Sequence, residues 1–267
     1  MWADPALVRP ADHRGEFFSV AGALNVSRSP QGRPLLVQAG SSEDGKAFAA
    51  RYAEAVFTAH QRVESARAFA TDLLRRVAAA GRNPDHLKVL PGIVPIIGAT
   101  EAEAVERASL FDDHVNPEFG RAQLARTLRV PLADLPLDSE LPADLPDEDE
   151  IEGAKSRYTL IVELARSERL TVRQLILRLG GGRGHFTVHG TPEQIADTIE
   201  LWFTTGAADG FNIMAPALPA DLVTFIDQVV PLLRRRGLFR TAYDTRTLRE
   251  HYGLPRPEVS ALTARSA

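Results

Sequence analysis

The chain has 267 residues, 44% hydrophobic and 25% charged, with a net charge of −4. That is the profile of a globular protein with one large or two small domains, and it carries no electrostatic footprint for a nucleic acid. No apolar run reaches the roughly 18 residues of a membrane span, and the lack of cysteine excludes disulfides, thiol catalysis and thiolate metal sites.

Met1-Trp2-Ala3-Asp4-Pro5 lacks the basic-then-apolar pattern of a secretory leader, so a cytoplasmic location is expected. Pro5, Pro10, Pro30 and Pro34 break up residues 1–33. A short strand is expected over 16–20, paired with Leu24-Asn25-Val26 across a turn at Gly22. Residues 35–38, apolar and bounded by Pro34 and Gly40, fit a strand buried on both faces of a parallel sheet. A helix is expected over 42–52 with Phe48, Ala49 and Tyr52 on one stripe. The next buried strand is 55–59, parallel to the first through a right-handed crossover.

Residues 63–80 read as an amphipathic helix, with Phe69, Leu73, Leu74 and Val77 spaced by three or four and Gly81 and Pro84 ending it. A Val/Ile-rich strand follows over 87–97, where Pro91 and Pro95 signal bends or an edge. Thr100 and Glu103 form a capping box for a helix to about His114. From 116 to 184 the rhythm breaks. Prolines and the acidic run Asp147-Glu148-Asp149-Glu150 suggest exposed loop, followed by helices over 156–167 and 171–179 and a glycine-rich hinge over 180–184. This segment is expected to be an insertion or lid within a single domain of residues 1–267. Thr191-Pro192-Glu193-Gln194 then starts a helix to Gly206, a strand is expected over 210–216, and a last long helix over 222–236 buries Phe225, Ile226, Val229, Leu232 and Leu233.

Gly40 to Ala47 matches G-x-x-x-x-G-K and then fails. Ala47 stands where a triphosphate loop needs a hydroxyl for Mg²⁺, and Glu43 and Asp44 put negative charge where phosphates would lie. A gentler anion site survives: Ser41 and Ser42 sit at a helix N-terminus, where one monophosphate could be held without a metal, or either serine could simply cap the helix. His185 and His189 have H-x-x-x-H spacing, but on a strand they lie roughly 13 Å apart, too far for one ion. His60, following a buried strand, is a candidate polar group near a site. Asn212 and Met214, near the end of the last strand, fit packing or cofactor-lining roles.

The runs Asp12-His13-Arg14-Gly15-Glu16-Phe17-Phe18, Val37-Gln38-Ala39-Gly40-Ser41-Ser42, Gly190-Thr191-Pro192-Glu193-Gln194-Ile195 and Gly206-Ala207-Ala208-Asp209-Gly210-Phe211-Asn212 resemble the nitrilotriacetate and dibenzothiophene-sulfone monooxygenase group of the bacterial-luciferase-like flavin monooxygenases. The resemblance implies an α/β fold, a partial (β/α)8 TIM barrel made of about the C-terminal four βα units with a helical insertion. It implies reduced FMN, supplied by a separate NAD(P)H-dependent flavin reductase, and O₂ oxygenating a small organic substrate. It also implies Ser42, with Ser41 beside it, as the FMN phosphate contacts. The family's first barrel strands have no counterpart, so the chain is expected to be a truncated or split half, to bind FMN weakly alone, and to associate with itself or with a complementary barrel half. The alternatives are a catalytically inactive remnant or interaction module of the same fold, or a deazaflavin (F420)-dependent oxidoreductase.

Overall fold

The computed structural model describes residues 4–8, 10–23, 25–151, 155–180 and 184–258. The chain divides into two units, Met1–Leu35 with Tyr243–Ala267, and Leu36–Ala242.

In the first unit, β1 (His13–Arg14) pairs antiparallel with β2 (Ser19–Val20), His13 opposite Val20. The 16–20 strand was expected to pair forward with 24–26, but its partner is the preceding segment. The turn closes through the Gly15 N–H donating to the Phe18 carbonyl at 2.9 Å, and a side chain on Gly15 would sit 2.7 Å from His13 Nε2. Leu24 lies outside the described residues. At the other end of the unit, Thr247 and Glu250 box the helical turn Leu248–His251, and the buried Arg249 donates to the Pro255 carbonyl at 3.0 Å.

The second unit carries β3 (Val37–Gln38), α1 (Glu43–Tyr52), β4 (Ala55–Thr58), α2 (Val63–Ala79), β5 (Lys88–Ile97), α3 (Glu101–Asp113), α4 (Pro117–Leu128), α5 (Lys155–Glu168), α6 (Val172–Gly180), β6 (Phe186–Gly190), α7 (Pro192–Thr204), β7 (Asn212–Ile213), α8 (Ala220–Thr224), a π turn over Phe225–Val229, and α9 (Val230–Arg235). The sheet order is β3-β4-β5-β6, with β7 also on β5, and every pair in it is parallel. This is the expected α/β class: among the described residues, an arc of parallel βα units of the TIM-barrel kind.

β5 is the axis of the arc. Its first half pairs with β4 (Val56 opposite Val89), and Ile93 pairs with both Phe186 of β6 and Ile213 of β7. Pro91 and Pro95 lie inside this central strand and not at a bend or edge. They flank the two residues, Gly92 and Ile93, that register with β7. A proline donates no ladder hydrogen bond, which accounts for a β7 of two residues where a longer strand over 210–216 was expected.

Two apolar clusters cover the sheet. One joins Val56 and Val89 to Phe69, Leu73 and Val77 of α2 and to Ala49 and Ala50 of α1. The other joins Ile93 and Ile97 to Ile195 and Ile199 of α7 and to Phe225, Val229 and Leu233. Ile226, expected in the core, is half exposed, because the π turn rotates the helix face after Phe225. Residues 35–38 are not buried on both faces: Val37 is 59% and Leu36 41% exposed, since β3 is the edge strand. Of the expected Phe48, Ala49 and Tyr52 stripe of α1 only Ala49 is buried, together with Ala50. The Phe48 and Tyr52 rings meet at a tilt, centroids 5.0 Å apart at 49°, and both are exposed.

The 116–184 segment holds more helix than the sequence announced. Asn116 caps α4 by accepting from the Glu118 and Phe119 N–H groups, with Pro117 at the first position. Leu124, Leu128, Leu135, Ile161, Leu164, Val172 and Leu175 make a core of their own. Gly120 allows α4 and α6 to touch, since a Cβ there would lie 2.3 Å from Ile176 Cγ2. The acidic run forms a short 3-10 turn over Glu148–Glu150. The expected hinge over 180–184 falls largely outside the described residues. The Thr191–Gln194 box caps α7 as expected. At α3, Thr100 accepts from the Glu103 N–H, but the Glu103 carboxylate reaches the Ala99 N–H at 2.8 Å and not the Thr100 N–H.

Candidate functional site

Where β3, β4 and the approach to β6 reach their C-terminal or entry ends, a cavity of about 1030 Å³ opens. This is the size of a site for a drug-sized or cofactor-sized ligand. Its walls come from Ala39, Gly40 and Ser41 after β3, from Thr58 to Arg62 after β4, from Gly184 and His185 before β6, and from one side of α5.

The glycines of the near-motif have a packing reason. A Cβ on Gly45 would lie 3.1 Å from the Gly40 carbonyl carbon and 3.1 Å from Ser42 Oγ, and one on Gly40 would meet Gln38 Nε2 at 2.7 Å. The spacing therefore lets the first turn of α1 close onto the loop from β3. Lys46 is committed elsewhere: its ammonium lies 2.5 Å from Glu43 and 2.9 Å from Asp72. Arg76 bonds the same two carboxylates at 2.6 and 2.9 Å. The hydrogen bond from Lys46 leads the forces holding the Asp72 carboxyl down at about 2, and the same cation leads in lowering that of Glu43. Glu43 at the start of α1 is thus paired within the fold, and the lysine is not free for a phosphate.

Ser42 caps α1, its hydroxyl accepting from the Gly45 N–H at 3.1 Å. Ser41 stands on the cavity wall. A hydroxyl that accepts one hydrogen bond still has its own proton to donate, so the capping role of Ser42 leaves it able to contact an anion at the helix N-terminus.

Deeper in, Thr58 is 2% and His185 6% exposed. Thr58 Oγ1, His60 Nε2 and His185 Nδ1 are buried without a hydrogen-bond partner among the described residues, although the Thr58 backbone bonds the His185 ring and favours its charged form. His185 lies flat on Phe57, centroids 4.8 Å apart at 16°. Its backbone carbonyl is held by the Gln61 side chain at 3.0 Å. The ring fits there because residue 92 is glycine: a Cβ would stand 2.5 Å from His185 Nδ1. Burial lowers the pKa of His185, and the charge of Arg157 opposes its protonation further. Burial alone pushes His60 down to about 4, with its ring against Phe69 at 5.1 Å. Both imidazoles are therefore neutral near pH 7.

The structure brings His60, Ser41 and His185 to one cavity. It separates His185 from His189, which is exposed on β6. Asn212 packs, its side-chain amide donating to the Leu90 carbonyl at 2.9 Å, and Met214 Sδ lies beside Gly92. Thr58, Gln61 and Arg157 escaped the sequence reading. Thr58 ends and Gln61 closely follows β4, whose C-terminal end faces the site, and that position is the signal that could have found them.

The family model for luciferase-like monooxygenases matches residues 2–209. Nitrilotriacetate monooxygenase component A of Aminobacter aminovorans is 48% identical over 250 residues, 93% of this chain and 54% of that protein. Dibenzothiophene-sulfone monooxygenase of Rhodococcus erythropolis is 40% identical over 260 residues, 97% of this chain and 57% of that protein. The crystal structure of a riboflavin lyase with modified FMN and riboflavin superposes with a TM-score of 0.78 at 31% identity, covering 95% of this chain and 55% of that one. The chain thus spans about half the length of the relatives it matches.

Proposed function

Since the chain belongs to the luciferase-like monooxygenase family, we propose that it provides the C-terminal βα units of an FMN-dependent monooxygenase acting on a small organic substrate. The observation that carries this reading is the cavity at the C-terminal ends of β3 and β4. Ser41 lines one end of it, directly before the α1 N-terminus that Ser42 caps, and buried polar atoms with no partner among the described residues stand at the other.

The residues fit the cofactor. The first turn of α1 offers free N–H groups and the hydroxyls of Ser41 and Ser42 to the FMN phosphate, while Thr58, His60 and His185 offer polar atoms further along. When bound, reduced FMN supplies the electrons that activate O₂ for insertion into the substrate. In this account a separate NAD(P)H-dependent flavin reductase delivers it in the cytoplasm. The chain's own residues bind and orient. The α1 N-terminus fixes the phosphate end, the neutral imidazoles of His60 and His185 add no charge to the cavity, and the 116–184 insertion acts as a lid through α5, which lines the cavity and excludes water.

The same reading makes the chain incomplete by itself. Among the described residues β3 pairs with β4 alone, which leaves its outer side as a sheet edge, and Leu36, Val37, Phe48 and Tyr52 are exposed apolar side chains near β3 and on the helix that follows it. One further parallel strand and helix would cover them. A complementary barrel half, or a second copy, takes that place.

The test titrates FMN by flavin fluorescence into the chain alone and into the chain mixed with the N-terminal half of nitrilotriacetate monooxygenase component A. Tight binding only in the mixture supports the proposal. A monomeric chain that retains stoichiometric FMN unaided overturns the incompleteness, and no FMN binding in either sample overturns the cofactor.

A further inference from the structure

The two curated relatives named above carry in their names a tricarboxylic acid and an uncharged sulfone, so the family alone leaves the polarity of the substrate open. The cavity wall formed by α5 narrows it. Arg157, Leu160, Leu164 and Ser167 follow one another at spacings of three and four, and all four line the cavity. They share one stripe of the helix, with Thr159, Val162, Glu163 and Arg166 lining the cavity beside it and Leu164 also packed in the core of the insertion. Leu160 anchors that stripe beside His185: its Cδ2 would be 3.5 Å from a Cβ on Gly184.

Arg157, one turn before Leu160, is exposed and makes no hydrogen bond or ion pair with another described residue. The other charges of the wall are placed differently. Arg62 lies 3.6 Å from Glu64, Arg166 donates to the Ala143 carbonyl at 3.2 Å, Glu163 flanks the stripe, and Glu148 belongs to the acidic turn. A guanidinium without a partner among the described residues, next to a neutral imidazole at the wall of a cavity, is a receptor for a carboxylate: its planar fork of donors holds a carboxylate more strongly than an uncharged sulfone.

Resting on the monooxygenase reading, we propose that the substrate carries a carboxylate, held at Arg157 on the His185 side of the cavity, while the flavin phosphate takes the Ser41–Ser42 end. The α5 stripe then serves both as lid and as specificity element.

The experiment uses the full chain with ¹³C-labelled histidine and follows the His185 ring resonance during titration with succinate, inorganic phosphate or dimethyl sulfone. Succinate is expected to shift the resonance saturably and to raise the pKa of His185, because an anion at Arg157 cancels the opposing charge. Dimethyl sulfone is expected to do neither. R157Q is expected to weaken succinate about tenfold or more, the loss of one charge-assisted pair, and to raise the pKa of unliganded His185. R157K keeps part of the affinity, and an unchanged His86 resonance in both variants reports an intact fold. A succinate response that survives R157Q overturns the proposal. So does a response to phosphate alone, which would assign Arg157 to the cofactor, or an equal response to the sulfone. S42A separates the two readings: it is expected to weaken phosphate or FMN binding and leave the succinate response in place. Loss of FMN binding with that response intact therefore sinks only the flavin reading.

Discussion

Gly92→Ala is the substitution that most directly probes how the cavity floor is built. The new methyl would stand 2.5 Å from His185 Nδ1, 2.8 Å from its Cγ and 3.0 Å from Met214 Sδ. The ring has little freedom to retreat. It is 6% exposed, stacked on Phe57 at 4.8 Å, and its carbonyl is held by Gln61. Overpacking of this kind costs about 1–3 kcal/mol. The backbone at 92 is not in the left-handed region, so alanine returns roughly 0.4–1 kcal/mol by restricting the unfolded chain. A net loss of about 1–2 kcal/mol is expected in urea unfolding. The G92A/H185A double variant removes the obstructing ring, so it should lose less than the sum of the two single variants by at least about 1 kcal/mol. A G92A chain within about 0.5 kcal/mol of wild type, or an additive double variant, would refute the placement of His185 over the strand.

His60 titrates at about 4 in the folded chain, against about 6.5 when unfolded. The unfolded chain therefore binds the extra proton between those values. Stability is complete above pH 6.5 and falls as pH drops toward 4, by roughly 2 kcal/mol once the half-burial of the ring is allowed for. Urea midpoints across that window should decline in wild type and decline less steeply in H60Q, where the lowered pKa of His185 still contributes; an equal decline in both would place the titrating group elsewhere. Thr191→Ala removes a complete capping box from α7 and should cost about 1 kcal/mol in the same assay, with no loss contradicting the cap. Replacing Phe48 and Tyr52 together by lysine should leave the fold intact, because both rings are exposed, and should lower the sedimentation-measured association of the chain; unchanged association would remove α1 from the proposed docking face.

The parts of this molecule that were legible in its sequence are those where local chemistry and burial agree. Ser42, Thr100 and Thr191 all cap the helices expected of them, and α2 buries the Phe69, Leu73 and Val77 stripe that its spacing announced. What misled was apolar character without a partner. Phe48 and Tyr52 share a stripe with the period of a buried face, and Leu36 and Val37 look like interior strand. All four are exposed because β3 ends the sheet, and no local signal says which strand is the edge. The prolines of β5 pointed to a bend or an edge, yet the strand is central: a proline needs only the absence of a ladder partner at its own nitrogen, which the shortness of β7 provides. Within the site, Ser41 and His60 were visible as residues following strands. Thr58, His185 and Arg157 depend on three elements distant in sequence meeting at one cavity, and His185 depends besides on the missing side chain of Gly92.

The central claim is that the α1 N-terminus holds the phosphate of FMN. Its most direct test compares FMN with riboflavin, which has the same ring and no phosphate, in equilibrium titrations of the chain completed by an N-terminal barrel half. The account predicts that FMN binds at least about tenfold more tightly, and that the S41A/S42A double variant abolishes most of the difference while leaving riboflavin binding unchanged. Equal affinity for the two flavins, or a preference for FMN that survives loss of both serine hydroxyls undiminished, would contradict it.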